Sequence, residues 1–285
     1  MQAMFIRHNM DSTPAVLTQL VDESLIALHY GNSSSTHPDD YNRQGKIAIG
    51  KLWKFCESGA IVGADFRKIK HNSIIVGVIT PGSRVFARCF VDPKTKQEFT
   101  YKVVQLHNAR DVSFLEYPIL AAIQPRQTAI THWPKAQKCL EAITNGSPLP
   151  ICVESLDPSQ LEVLCHEFMR GKGLLPALLL PIGRSMVDID IVGIDESDEL
   201  VLAQVTHSTN QRVVQDKLKR LKEYAAPTVK LILFGPTPVR VTDNTVEFIS
   251  IQDVFTSIRE NKNSIQHKML MRMLGRTPES EKQAF

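Results

Sequence analysis

The run Asp188-Ile189-Asp190-Ile191-Val192-Gly193, followed by Leu200-Val201-Leu202-Ala203-Gln204-Val205-Thr206-His207, constrains this chain most. Both segments are rich in β-branched and aliphatic residues, and Asp195-Glu196-Ser197-Asp198 between them is a short polar connection of the kind that closes a hairpin. The pattern predicts antiparallel strands over Met186–Ile194 and Glu199–His207. Side chains alternate faces along a strand. Asp188 and Asp190 are then expected on one face of the first strand, and Leu200, Leu202, Gln204 and Thr206 on one face of the second. Asp190 stands in an otherwise apolar run. A buried carboxylate needs a partner, a metal or a proton. A hard cation such as Mg²⁺ takes a few oxygen ligands of this kind and keeps several waters. The alternatives are an ion pair from Asp190 to Arg184 or exposure at a sheet edge, and a Gln204 bonded only to backbone.

The rest of the chain divides near Asn145-Gly146-Ser147-Pro148-Leu149-Pro150, the strongest break in pattern. We expect an N-terminal α+β domain over 1–144, an α/β domain over 151–260 and a tail over 261–285. In the first domain, Pro14–Tyr30 reads as a helix with cap candidates Asp11, Ser12 and Thr13, and Lys46–Glu57 as a second. Strands are expected at 60–66, 73–79, 85–91 and 99–106, making a small curved sheet or barrel, before a helix over Trp133–Ile143. The second domain reads helix 159–170, strands 178–182, 186–194 and 199–207, helix 211–224, strands 229–234 and 246–250, and a short helix 251–259.

With 43% hydrophobic and 22% charged residues, 285 residues suffice for ordinary cores without staples. The formal charge of +3 permits nucleic-acid binding without requiring it. Arg67, Lys68, Lys70 and His71, with Arg84 and Arg88, could form a phosphate-binding edge or a solvated turn. Five scattered cysteines with no CxxC spacing suit a reducing compartment. No secretory pattern or membrane-spanning apolar run appears, so a cytoplasmic location is expected.

The segment from Pro158 to Gly235 resembles the PD-(D/E)xK nuclease superfamily, in particular its Mrr-like restriction-endonuclease branch. Leu156-Asp157-Pro158-Ser159-Gln160-Leu161-Glu162 is similar to the family's opening helix, Asp190 to its metal-binding Asp, Gln204 to the Gln of its Gln-x-Lys strand, and Val229–Gly235 to a later core strand. Thr206 stands where the family has its catalytic Lys. The resemblance implies a restriction-endonuclease-like core, a mixed sheet flanked by helices. It implies Mg²⁺ or Mn²⁺ at Asp190 and Gln204, Glu162 near a bound water, and a nucleic acid, DNA first, as the partner. The first domain bears a looser resemblance to PUA/EVE-like barrels, which bind modified bases.

Lys217 is the candidate replacement for the lost lysine. Four residues after Val213 and four before Leu221, it falls in the middle of the apolar stripe Val213, Val214, Leu218, Leu221 and Tyr224 of its helix. In some members of the superfamily the catalytic Lys has migrated to this helix. A lysine there otherwise snorkels to solvent. Glu162 can equally be a surface acid on a first helical turn. The expected function is a metal-dependent endonuclease of prokaryotic restriction or anti-phage defence, alone, as a homo-oligomer or with other subunits. The alternatives are a catalytically degenerate fold that binds DNA or a partner protein, and a sensor controlled by the first domain.

Overall fold

The computed structural model describes residues 1–8, 12–126, 129–183, 186–237 and 243–276. Asp11, Arg184 and the tail beyond residue 276 lie outside them. The chain forms two compact units, Met1–Leu149 and Pro150–Phe285, both of mixed α/β construction.

The first unit opens with the apolar strand β1 (Gln2–Arg7), which was not among the expected elements. Helix α1 (Pro14–Asp22) is capped by Thr13, whose hydroxyl accepts from the Val16 N–H at 3.5 Å. The helix expected to reach Tyr30 stops at Asp22. Ser24 takes φ +54°, and Leu25–Leu28 becomes strand β2 with all four residues buried. Contiguous aliphatics fit a buried helix and a buried strand equally. Pairing with a distant strand decides between them. Helix α2 (Arg43–Ser58) is capped by Asn42.

Strands β3 (Ala60–Asp65), β4 (Ser73–Ile79) and β7 (His107–Ser113) join β1 and β8 (Ile130–His132) in one sheet, ordered β7-β4-β3-β1-β8, with β1 and β3 parallel. Strands β5 (Phe86–Val91) and β6 (Glu98–Gln105) join β2 in a small antiparallel sheet. After the short α3 (Pro118–Ala122), helix α4 (Gln137–Asn145) packs Cys139, Leu140 and Ile143 against Phe5, Ile61, Ile74 and Trp133, inside the first unit's core.

The second unit begins with α5 (Pro158–Gly171), started by an Asp157/Gln160 capping box and Pro158. One mixed sheet follows, ordered β13-β12-β11-β10-β9: β9 (Ala177–Leu178), β10 (Ile191–Ile194), β11 (Leu200–Val205), β12 (Val229–Gly235) and β13 (Val246–Ser250). β10 and β11 are antiparallel, and β11, β12 and β13 run parallel. Helix α6 (Gln211–Lys222) makes the β11–β12 crossover, and α7 (Ile251–Glu260) and α8 (Ile265–Met273) close the unit.

Alternation sorts the sheet's two faces. Val201, Ala203, Val205, Ile232 and Phe234 pack with α5, α7 and α8, whereas Leu202, Leu231 and Leu233 pack with Val214, Leu218 and Leu221 of α6. Helix, three strands, helix, strand around a mixed sheet is the order implied by the nuclease resemblance. Among the described residues no helix is long and apolar enough to cross a membrane.

Two expected strands are shorter than their sequence pattern. The 178–182 strand is reduced to a two-residue edge, since prolines at 176 and 181 cannot donate to a ladder. The first hairpin strand starts at Ile191 rather than Met186. Met186 and Ile189 form an isolated bridge around a turn in which Asp188 takes φ +59°.

Candidate active site

The alternation that was to place Asp188 beside Asp190 on one strand face fails, because a left-handed residue breaks the extended backbone. Asp188 instead pairs with Arg220 of α6 at 3.0 Å. Asp190 stays attached to the sheet just before β10, its N–H donating to Ala203 O at 3.0 Å and its carbonyl accepting from Gly183 N at 2.7 Å.

The antiparallel β10–β11 pair brings Asp190 to Gln204. The Gln204 amide Nε2 donates to Asp190 Oδ2 at 2.7 Å, and the Val205 N–H donates to the same oxygen at 2.8 Å. Gln204 is 4% exposed. Turning its NH₂ toward Asp190 leaves its Oε1 buried without a hydrogen-bond partner, a costly state for a carbonyl.

Asp190 is held above the usual carboxylate range. Burial is the largest cause, and the charge of Asp188 adds to it. The Val205 N–H, the positive charge of Lys217 and the Gln204 amide pull the other way. Both described donors at Oδ2 are neutral, so they meet the ionised acid as dipoles.

Lys217 is half-buried on α6 and donates from Nζ to Val205 O at 3.3 Å. It stops short of an ion pair with Asp190 but lies close enough for its charge to favour the carboxylate. Glu162, on the second turn of α5, reaches the loop before β10: a Cβ built on Gly183 would lie 2.6 Å from Glu162 Oε2. Cys165, one turn further along α5, is fully buried, and its thiol is pushed up by burial first and then by the charges of Asp190 and Glu162. The four residues singled out from the sequence therefore surround one end of β11.

Two further residues lie at this end. Thr206 is 2% exposed, bonds backbone to backbone with Phe234, and accepts from Ser208 N at 3.3 Å. Its hydroxyl is occupied locally. His207 keeps part of its surface in solvent, yet its pKa is lowered, by desolvation first, with Asp157, Lys217 and Asp190 all acting on it. Sequence reasoning did not identify Gly183. Its signal was a glycine following Pro181 in an otherwise apolar loop.

The donor set can be tested against a divalent cation. Among the described residues no three His, Cys, Asp or Glu side chains are grouped to hold a metal. Magnesium commonly uses only one or two carboxylates, together with waters and substrate phosphates. Asp190 and an amide oxygen meet that lesser requirement. A half-turn of the Gln204 amide would present its unpartnered oxygen beside Asp190 Oδ2. The set fits a hard cation that completes its shell from solvent and substrate.

Three of the basic residues expected to line a phosphate edge on the first unit have acidic partners. Arg67 meets Asp65 at 3.2 Å, Lys70 pairs with Asp111, and Arg88 Nη2 donates to Glu23 at 2.7 Å. The local acids thus already occupy three of the cations proposed for a phosphate edge.

No family model and no curated protein matches the chain. Among solved structures, a repair endonuclease from Pyrococcus abyssi is similar over 62% of this chain and 73% of its own, at 13% identity and a TM-score of 0.21. An EndoMS–dsDNA complex covers 62% and 76% at 12% identity and TM-score 0.21. The DNA modification-dependent restriction endonuclease AspBHI covers 92% and 79% at 13% identity and TM-score 0.21.

Proposed function

We propose that the second unit is a nuclease domain that hydrolyses phosphodiester bonds in nucleic acid, DNA first, with Mg²⁺ or Mn²⁺ held by Asp190 and Gln204. The observation that carries this reading is the pair itself: among the described residues, a carboxylate oxygen met by two neutral donors, beside a buried amide oxygen with no partner. A bound cation would polarise the phosphate and acidify the attacking water. Asp190 supplies the charge that holds it. Gln204 supplies an oxygen without a second charge, so affinity leans on Asp190 and on substrate phosphate. Lys217, released from Val205 O, stabilises negative charge developing on the phosphate. Glu162 holds and orients a metal-bound water from the helix side, so its position also bears on metal affinity. The first unit serves as the recognition or regulatory module, and the setting is prokaryotic restriction or anti-phage defence in the cytoplasm.

Buried Thr206, in place of the family lysine, favours one alternative: a degenerate nuclease fold that binds DNA or a partner without cutting. Incubation of single- and double-stranded DNA and RNA with Mg²⁺ and with Mn²⁺ decides between them. Metal-dependent cleavage that disappears in Asp190→Ala supports the enzyme. Retained binding with no cleavage under either metal supports the degenerate fold.

Residues 145–150 are proposed to link two independently folding domains. Limited proteolysis should cut there and leave two stable fragments; progressive degradation of both halves would count against the split.

A further inference from the structure

Glu162 and Asp190 come from elements far apart in the chain, and both meet Gly183. The Gly183 N–H donates to the Asp190 carbonyl at 2.7 Å, which fixes the loop before β10 against the acid's own backbone. Gly183 has φ +79°, a conformation that residues with a Cβ rarely adopt. Its missing side chain is also a space filled by another residue, because Glu162 Oε2 lies 2.6 Å from where a Cβ would stand. A Cβ there would push the Glu162 carboxylate, the mobile end of a long side chain, out of its present place. The same glycine thus ties down the Asp190 backbone and makes room for the Glu162 carboxylate.

A second observation puts both acids within electrostatic reach of one buried residue. Cys165 is three residues after Glu162, hence on the same side of α5, and its buried thiol feels the charges of both Asp190 and Glu162. Glu162 therefore approaches the backbone that carries Asp190, and Gly183 stands between the two.

We infer that Gly183 is a positioning residue that sets where the Glu162 carboxylate stands relative to Asp190. The inference rests on the nuclease reading of this site and extends it to the loop at residues 181–183. Gly183 touches no reacting atom in this role. It acts by leaving empty the volume that Glu162 occupies.

The test compares Gly183→Ala with Gly173→Ala in the full-length protein. Gly173 has φ +71° and nothing within 4 Å of a built Cβ, so its substitution carries the backbone strain alone. Calorimetric titration with Mn²⁺ should show affinity at least tenfold weaker in Gly183→Ala and unchanged in Gly173→Ala. In a Glu162→Ala background, Gly183→Ala should change affinity less than twofold, since the clashing oxygen is gone. Wild-type affinity in Gly183→Ala, or an equal loss in both backgrounds, overturns the inference. A metal-free readout separates this outcome from failure of the nuclease reading. With ¹³C-labelled glutamate, the Glu162 carboxyl resonance, identified by its loss in Glu162→Ala, should move in Gly183→Ala and not in Gly173→Ala. Absence of Mn²⁺ binding by the wild type overturns the metal reading. A Glu162 resonance unmoved in Gly183→Ala overturns the positioning role.

Discussion

Each unit holds an aspartate at the end of a strand, and the two are compensated in opposite ways. Asp65, at the end of β3, is 2% exposed and lies 3.2 Å from both Arg7 and Arg67. Asp190, just before β10, receives the Gln204 amide and the Val205 N–H among the described residues, while Lys217 donates to Val205 O. Two guanidinium groups complete Asp65, so its charge is spent within the fold. Asp190 is met at Oδ2 by dipoles, the arrangement that the proposed cation site needs. Buried acids are usually paired or coordinated. What distinguishes a structural acid from a candidate ligand is the kind of compensation rather than the depth of burial.

The largest expected effect comes from breaking the structural acid. Asp65→Ala leaves the Arg7 guanidinium, 14% exposed, without its carboxylate, and should destabilise the protein by about 3–5 kcal/mol in urea titration. A loss under about 1 kcal/mol would show that the pair is a surface-type contact and would remove the contrast with Asp190.

Lys217→Met tests whether the cation near Asp190 serves chemistry rather than pairing. Cleavage should fall about 100-fold, equivalent to ~2.7 kcal/mol of transition-state stabilisation. Thermal stability and Mn²⁺ binding should change little, because the Val205 carbonyl is its described acceptor. Full cleavage by the variant would eliminate Lys217 from the mechanism.

Gln204→Glu sharpens the comparison by adding a second carboxylate 2.7 Å from Asp190. Two such acids share a proton rather than both ionise. The metal-free variant should lose stability as pH rises through neutrality, and Mn²⁺ should bind about tenfold tighter, ~1.4 kcal/mol. Unchanged affinity on calorimetric titration would show that position 204 does not contact the ion.

The smallest effect concerns pH. Asp190 is raised in the folded state, mainly by burial. The protonated acid therefore contributes stability at low pH that is lost as pH rises from the ordinary carboxylate value through the raised folded one. Asp190→Asn keeps an acceptor for Gln204 and Val205 but cannot ionise. Its metal-free stability should stay flat across that window and be no lower than wild type at neutral pH, measured by denaturant titration in EDTA. The same variant should lose the stabilisation given by Mn²⁺. A large loss of metal-free stability would place Asp190 with Asp65 among the structural acids.

The meeting of Asp190 with Gln204 was legible in the sequence because it follows from local rules. A polar four-residue connection closes a hairpin, and a hairpin places residues at equal distances from its turn side by side. Helical period also put Lys217 beside Val214, Leu218 and Leu221, but the packing left it half-buried and turned Val213, expected in the same stripe, to solvent. Tertiary structure decided the rest. Leu25–Leu28 became a strand because β6 was there to pair with it. Asp188 left the strand for Arg220 because a left-handed turn broke the alternation. Glu162 met the Asp190 loop at Gly183, a contact between a helix and a loop that no periodicity encodes. Spacing along a chain fixes neighbours within one element or one tight turn. Which distant group compensates a buried charge depends on how the elements pack.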